Sequence, residues 1–375
     1  MAAKDKEKKE RIPVVVGDPL SQDIFSMDGS LLLASAGTIV TREMVIRLAN
    51  WIVEEEPRLA GEREKKLPPS STREVVLKKL DFDQIVSDKT RTELEKGVND
   101  FFGRVGSSDK KVDMKRLEDS VARMIDETPD NPDVPMRLFE LKRQAEVIYN
   151  HSVECGIMAS FVAAALNYPT HEVNSFALSM MLHDVGFLAL PTHLLEMKQQ
   201  PFGDDLVQIR QHPRHGWDML KKVSGVELLT MMIAIGHHVY GDGTGYPDEI
   251  NFNDLPRLVH LAQVIDNFES LTSSLSYRPA YTMHDAVKLL LSQRNKYQPW
   301  ALENFVRVVG IFPISTFVKL NTGEVGVVVR NNPGNLFLPE VKLVMDPLEK
   351  LYSEEIIVNL VDEPVRKITK VVEKV

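Results

Sequence analysis

The chain has 375 residues, with 45 Lys and Arg against 54 Asp and Glu, for a formal net charge of −9. That length accommodates one large domain with a sizeable core and one or two smaller modules. The acidic balance argues against nonspecific nucleic-acid binding, which needs a basic surface to displace counterions, and no stretch reaches the roughly 18 uninterrupted apolar residues of a membrane-spanning helix.

Cys155 is the only cysteine, so an intrachain disulfide is excluded and a reducing cytoplasm is the expected compartment. The charged leader from Met1 to Arg11 has no apolar signal-peptide core behind it. Ile12 to Val16 and Leu31 to Ala34 then read as short strands about an Asp28-Gly29 turn, and Thr41 as the cap of a helix running through Trp51 to Glu55. Residues 1–56 are therefore expected to form a small β-rich, α/β module. A solvated linker rich in Arg, Lys, Glu, Pro and Ser follows at 57–74, with helical patterns over Arg91 to Phe102 and Lys111 to Asp126 completing a segment that ends at 133.

The run from Thr128 to Asp133, with prolines at 129 and 132, marks the expected start of the large domain, residues 134–310. Apolar residues recur at helical spacing from Met136 through Leu166, with His151 and then Cys155 on the way; Cys155 reads as a small buried apolar residue. A second helix is expected to end at His183-Asp184, with Gly186 reversing the chain, and Asp254-Leu255-Pro256 to cap the helix that carries Asp266. Past Gly310 the period changes. Phe317 to Leu320, the turn Asn321 to Glu324, and Val325 to Val329 read as a hairpin within a β-rich extension, residues 311–375. The fold class expected is mainly α, a helical bundle with a small N-terminal α/β module and a C-terminal β-hairpin appendage.

His151, His183, Asp184, His212, His237, His238 and Asp266 each fall in or at the end of an apolar helical segment, where an unpaired imidazole or carboxylate is costly to bury. Taken singly, each histidine reads as a hydrogen-bonded core residue. Taken together, five neutral imidazoles and two carboxylates can fill the coordination spheres of two divalent ions if Asp184 bridges them. Neighbours on a helix project about 100° apart, so His183 with Asp184, and His237 with His238, can each clasp a metal from two directions. The ligand mix suits iron or manganese first, then nickel or zinc. His171, His193, His215 and His260 lie outside this pattern, His215 one turn from His212 as a supporting residue.

The segments Asn150-His151-Ser152, Leu182 to Gly186, His212-Pro213-Arg214-His215-Gly216, His237 to Pro247 and Val264 to Ser273, in this order and spacing, resemble the HD-GYP phosphohydrolases of bacterial cyclic-dinucleotide signalling. The β-rich segments at both ends are also similar to modules found on such proteins. The resemblance implies a helical, metal-dependent phosphodiesterase domain that opens the 3′,5′ linkages of cyclic di-GMP, with Asp184 as the central catalytic ligand. On the substrate side it implies Gly245, Tyr246 and Pro247 of the signature loop, and Arg278 as a cation. The chain departs from the family at Phe187, where Lys is usual, at Leu275, where Arg is usual, and at Val239, where Glu is usual. Val147 stands where some members hold a third metal with Glu, so two metals are expected.

The resulting expectation is a cytoplasmic two-metal phosphodiesterase of low activity on cyclic di-GMP or a similar anionic dinucleotide, without direct membrane insertion. The alternative is a degenerate HD-GYP module that keeps metal for structure or sensing and binds a protein partner at the Gly-Tyr-Pro loop.

Overall fold

The computed structural model describes residues 24–25, 32–34, 86–106, 114–127, 147–195, 197, 199–274 and 278–372. The chain divides into two units, Met1–Lys66 and Leu67–Val375. In the first, β1 (Ile24–Phe25) pairs antiparallel with β2 (Leu32–Ala34), with Phe25 opposite Leu32. The strand expected at Ile12 to Val16, the helix from Thr41 to Glu55, the linker at 57–74 and the breaker at Thr128 to Asp133 lie outside the described residues. Among the described residues, Ile24–Phe25 pairs with the second expected strand.

The first described helices of the second unit are α1 (Asp88–Val105) and α2 (Lys115–Glu127). Ser87 caps α1, its Oγ accepting from the Thr90 amide at 3.2 Å, and Glu127 at the end of α2 accepts from the Ser87 amide at 2.9 Å. Helical spacing puts Leu94, Val98, Phe101 and Phe102 on one face of α1, and these join Leu117, Val121 and Met124 of α2 in the core. An Arg91–Glu154 ion pair links α1 to α3 (Val147–Ala165), the helix that carries His151. Next comes α4 (Thr170–Leu182), which packs so closely on α3 that a Cβ at Gly156 would lie 2.3 Å from Met181.

A 3₁₀ turn (Val185–Ala189) and a short α5 (Thr192–Leu195) lead to α6 (Gly203–Ile209), α7 (His212–Leu220) and α8 (Leu228–Gly236). The bundle is completed by α9 (Arg257–Thr272), α10 (Met283–Ser292) and α11 (Pro299–Val309). Phe176, Met181, Ile265, Phe268 and Phe305 are buried in its core, with Phe268 and Phe305 packed edge to face at 5.1 Å. No helix among the described residues is long and apolar enough to cross a membrane.

Two expected helix ends differ. Gly186 does not reverse the chain through a left-handed conformation; it lies in the 3₁₀ turn, and its missing side chain lets that turn touch α7. A Cβ there would stand 1.9 Å from the His212 carbonyl oxygen and 2.4 Å from the Gly216 nitrogen. Asp254 closes a 3₁₀ turn (Phe252–Asp254) that Asn251 caps, so it cannot cap α9; Pro256 takes that position in extended backbone, without a side-chain hydrogen bond.

The C-terminal part is larger than a hairpin. Strands β3 (Phe317–Leu320), β4 (Val325–Arg330), β5 (Glu340–Met345), β6 (Leu351–Asn359) and β7 (Ile368–Val371) form an antiparallel sheet in the order β6-β5-β4-β3-β7. The expected hairpin is its β3–β4 pair, with Phe317 opposite Val327 and Lys319 opposite Val325. Val327 and Val329 join one apolar cluster and Val328 another, so β4 is covered on both faces, which a lone two-stranded hairpin does not achieve. Asn331 donates to the Val309 carbonyl at 2.7 Å and His284 to the Ile311 carbonyl at 2.8 Å, joining the sheet segment to the bundle.

Candidate metal centre

Five helices converge on one buried point. The second turn of α3 brings His151 and the middle of α9 brings Asp266; the C-terminus of α4 brings His183 and Asp184, that of α8 brings His237 and His238, and the N-terminus of α7 brings His212. All seven residues singled out from the sequence meet here. His183 and His237 are the C-cap residues of α4 and α8, and helix C-termini carry partial negative charge that favours a cation.

The local fold orients the imidazoles. Nδ1 of His183 donates to the Met180 carbonyl at 2.6 Å, Nδ1 of His212 to the Ile209 carbonyl at 2.8 Å, and Nδ1 of His237 to the Ile233 carbonyl at 2.9 Å. A carbonyl only accepts, so each ring carries a hydrogen on Nδ1 and, in its neutral form, turns a bare Nε2 lone pair toward the others. The Nε2 atoms of His212 and His237 lie 3.1 Å apart. Two lone pairs at that distance repel unless a cation lies between or beside them.

Asp184 occupies the middle. Its Oδ1 lies 3.4 Å from His212 Nε2 and 3.5 Å from His237 Nε2, while Oδ2 lies 3.5 Å from His183 Nε2 and 3.7 Å from His151 Nε2. Asp266 Oδ1 is 3.1 Å from His151 Nε2 and 3.7 Å from His183 Nε2, and its Oδ2 is 3.7 Å from His238 Nδ1. Asp184 Oδ1 and His183 Nε2 are buried without a hydrogen-bond partner. Buried orphans of this kind are rare because each forfeits its hydration. The donor set, the orphaned atoms and the tautomers all fit divalent metal.

Charge follows the same plan. Burial opposes ionisation of Asp184 and Asp266, but the surrounding imidazoles hold both well below the usual carboxylate range. Burial and the neighbouring His237 push His212 down to about 4, and the same two causes push His238 well below the ordinary imidazole value. Burial acts downward on His151 and His237 as well, yet Cys155, Glu269 and Asp266 raise His151 overall, and Asp184 and Asp266 raise His237. Ionised carboxylates and neutral imidazoles are the forms that bind metal.

Three contributors escaped the sequence reading. Glu269, one turn after Asp266, accepts from His151 Nδ1 and fixes that ring; the Asp266-x-x-Glu269 spacing on one helix face was the available signal. Gln263, fully buried, donates to the Gly236 carbonyl at 2.9 Å and the Val239 carbonyl at 2.7 Å, so α9 grips the segment bearing His237 and His238. Cys155, read as apolar filler, has its Sγ 3.7 Å from His151 Nε2 and belongs to a group of potential metal donors with His151, His183 and Asp266. Burial pushes its thiol up to about 12, so it is neutral without metal.

On the open side, Gly245 lets the signature loop fold back on its own helix end: a Cβ there would be 2.3 Å from the His238 carbonyl oxygen. Tyr246 N donates to that carbonyl at 2.9 Å, which sets the Tyr246 ring 4.7 Å from the His238 ring, with Pro247 half-buried beside it. Phe187 stacks on His212 with centroids 4.2 Å apart and planes 14° from parallel. Arg278 does not present a free guanidinium. It donates to the carbonyls of Ser270 at 2.8 Å and of Leu271 and Pro279 at 3.1 Å, closing the end of α9, where carbonyls lack helical partners and a cation is favoured. Leu275 lies outside the described residues.

A family model described as an HD domain matches residues 133–300, and one described as a KOW domain associated with HD domain matches residues 317–374. Residues 133–300 are thus an HD domain, and the chain is similar to cyclic di-GMP phosphodiesterases. A cyclic di-GMP phosphodiesterase of Pseudomonas aeruginosa, PA4108, is 28% identical over 250 residues, covering 66% of this chain and 60% of the relative. The cyclic di-GMP phosphodiesterase response regulator RpfG of Xanthomonas campestris is 30% identical over 152 residues, 40% of each chain. The chain thus spans well under the full length of both. Among solved structures, Bd1817, a HDG"Y"P protein from Bdellovibrio bacteriovorus, aligns with a TM-score of 0.48 and 16% identity over 78% of this chain and 95% of that one.

Proposed function

We propose that the chain is a metal-dependent phosphodiesterase of bacterial second-messenger signalling whose substrate is cyclic di-GMP or a closely related cyclic dinucleotide. The observation that carries this reading is Asp184, with one oxygen facing His212 and His237 and the other facing His151 and His183. That division supports two divalent ions bridged by Asp184, one held by His212, His237 and His238, the other by His151, His183 and Asp266. Iron or manganese fits the mixed nitrogen and oxygen donors, ahead of nickel or zinc. Such ions lower the pKa of a bound water and neutralise charge on phosphoryl oxygens. The protein's own part is to hold neutral imidazoles by their Nδ1 hydrogens, to keep both carboxylates ionised, and to offer Tyr246 as a wall for a base or ribose. The names of the relatives support the substrate class.

In this reading residues 134–310 are the catalytic domain, residues 1–56 and 311–375 are accessory modules, and the protein works in the cytoplasm. A second reading, a metal-containing scaffold that binds a protein partner at the Gly-Tyr-Pro loop, is favoured by one observation: Phe187 puts an aromatic ring where a phosphate-binding Lys is usual. Anaerobic purification with metals retained, followed by elemental analysis and a cyclic di-GMP turnover assay, decides between them. Two metals per chain with turnover is the expected result; two metals without turnover of cyclic di-GMP or simple phosphodiesters would favour the scaffold.

A further inference from the structure

The exposure of the ligands shows where the centre opens. Side chains of His183, His212 and His237 are 0–1% exposed, whereas His238 is 20% exposed and His151 16%. Both nitrogens of His151 face carboxylates on α9, so an incoming ligand meets the His238 side. Two tyrosines flank that ring, Tyr246 at 4.7 Å and Tyr240 at 6.5 Å between centroids. Each carries a cation on its face: Arg210 Cζ lies 5.3 Å from the Tyr246 centroid, and Lys296 Nζ lies 5.3 Å from the Tyr240 centroid. Asn267 donates to the Tyr240 hydroxyl at 2.8 Å, fixing that platform. Among the described residues no carboxylate pairs with either cation.

We propose that Arg210 and Lys296 are the phosphate-binding cations of this chain, gripping a cyclic dinucleotide beside His238 in place of the cation missing at position 187. The proposal rests on the phosphodiesterase reading above. A cyclic dinucleotide carries two phosphodiesters, each with one negative charge. The one under attack is neutralised at the metal centre, so the other needs positive charge at a distance from it. Both terminal nitrogens of Arg278 already donate at the end of α9. The Arg210 guanidinium lies over the Tyr246 ring, and a guanidinium can bind two phosphate oxygens through its N–H edge while an aromatic ring attracts its charge. Lys296, half-buried, offers a compact charge over Tyr240.

The test uses the metal-loaded full chain, with metal content measured for every variant. Arg210→Ala and Lys296→Ala should each weaken cyclic di-GMP binding about tenfold by calorimetry, raise KM more than they lower kcat, and reduce the salt dependence of affinity; Arg210→Lys should recover part of the loss. Hydrolysis of bis(p-nitrophenyl) phosphate, which has a single phosphodiester, should change less than about threefold, as expected of groups that hold the remote phosphate. Unchanged affinity and KM in the double variant, with turnover intact, would overturn the inference and leave the proposed function standing. Equal losses on both substrates would assign the residues to the shape of the metal site and overturn it too. A wild type that neither binds nor hydrolyses cyclic di-GMP would overturn both.

Discussion

Asp184 in the helical bundle and Glu324 in the C-terminal sheet are both buried carboxylates, and their surroundings are opposite. Glu324 accepts from Arg366 Nε at 2.9 Å and Nη2 at 3.2 Å, from the Tyr352 hydroxyl at 3.1 Å and from Thr322 Oγ1, so both its oxygens are served by the protein. Asp184 faces four imidazole nitrogens, each a possible metal ligand, and its Oδ1 has no hydrogen-bond partner. A buried charge whose partners are complete is part of the architecture. One whose partners are themselves acceptors makes sense only with a cation added, and the bundle tolerates the arrangement because five helices hold it in place.

The sharpest way to break this comparison is Asp184→Ala. Loss of the carboxylate should remove most of the metal by elemental analysis and reduce cyclic di-GMP hydrolysis by about a thousandfold or more, while circular dichroism still reports the helical fold. Retention of both metals by the variant would sink the bridging assignment. Glu324→Ala should do the reverse. It leaves the Arg366 guanidinium, 27% exposed, without its main partner and should destabilise the fold by about 2 kcal/mol, with metal content and turnover number unchanged.

Acid sharpens the same contrast. Hydrogen bonds from Arg366 hold Glu324 below the usual carboxylate range against a smaller upward effect of burial. The folded-state pKa is depressed, so the stability it contributes is present above the unfolded value and is lost as pH falls through the folded value. Thermal melts between neutral pH and about pH 3 should therefore fall more steeply for wild type than for Glu324→Gln, which has no charge to lose. Parallel curves would remove Glu324 from the account of acid stability.

Much of the centre was legible in the sequence because its chemistry is carried by residue types that are costly to bury. His151, His183, Asp184, His212, His237, His238 and Asp266 announce themselves on apolar helices. What the sequence hid is relational. Glu269 looks like any helix-surface acid until α3 sets His151 against it, and Gln263 becomes a clamp only because the end of α8 leaves two carbonyls facing it. Arg278, expected on the substrate side, is relational in the same way, since nothing local reveals that the carbonyls of Ser270 and Leu271 accept from it. In the sheet, β3 and β4 alternate or run apolar and are readable, while β6 carries Ser353, Glu354 and Glu355, which mask a strand that long-range pairing with β5 defines.

Gln263→Leu tests how far the clamp matters. Two buried carbonyls would lose their donor, and the His237-His238 segment would be held by packing alone. Metal affinity should drop about tenfold, the range typical of groups that orient ligands, with a smaller loss of thermal stability in the apo protein. Undiminished affinity would mean that the hydrogen bonds of His237 to Ile233 suffice.

The smallest effect is expected at position 187. Phe187→Lys restores a cation where relatives of this type usually have one, and a charge-assisted hydrogen bond to phosphate contributes roughly 1.5–3 kcal/mol. Against this, the variant gives up the stack on His212, about 0.5–1.5 kcal/mol for an aromatic pair, and sets an ammonium beside a centre that carries metal cations. If Arg210 and Lys296 already neutralise the phosphates, the net gain in cyclic di-GMP affinity should stay below about tenfold by calorimetry. A gain near a hundredfold would show that the phosphate lacked a partner in the wild type. A loss of metal with no gain in affinity would instead assign Phe187 to the orientation of His212, making the aromatic substitution a structural part of this centre.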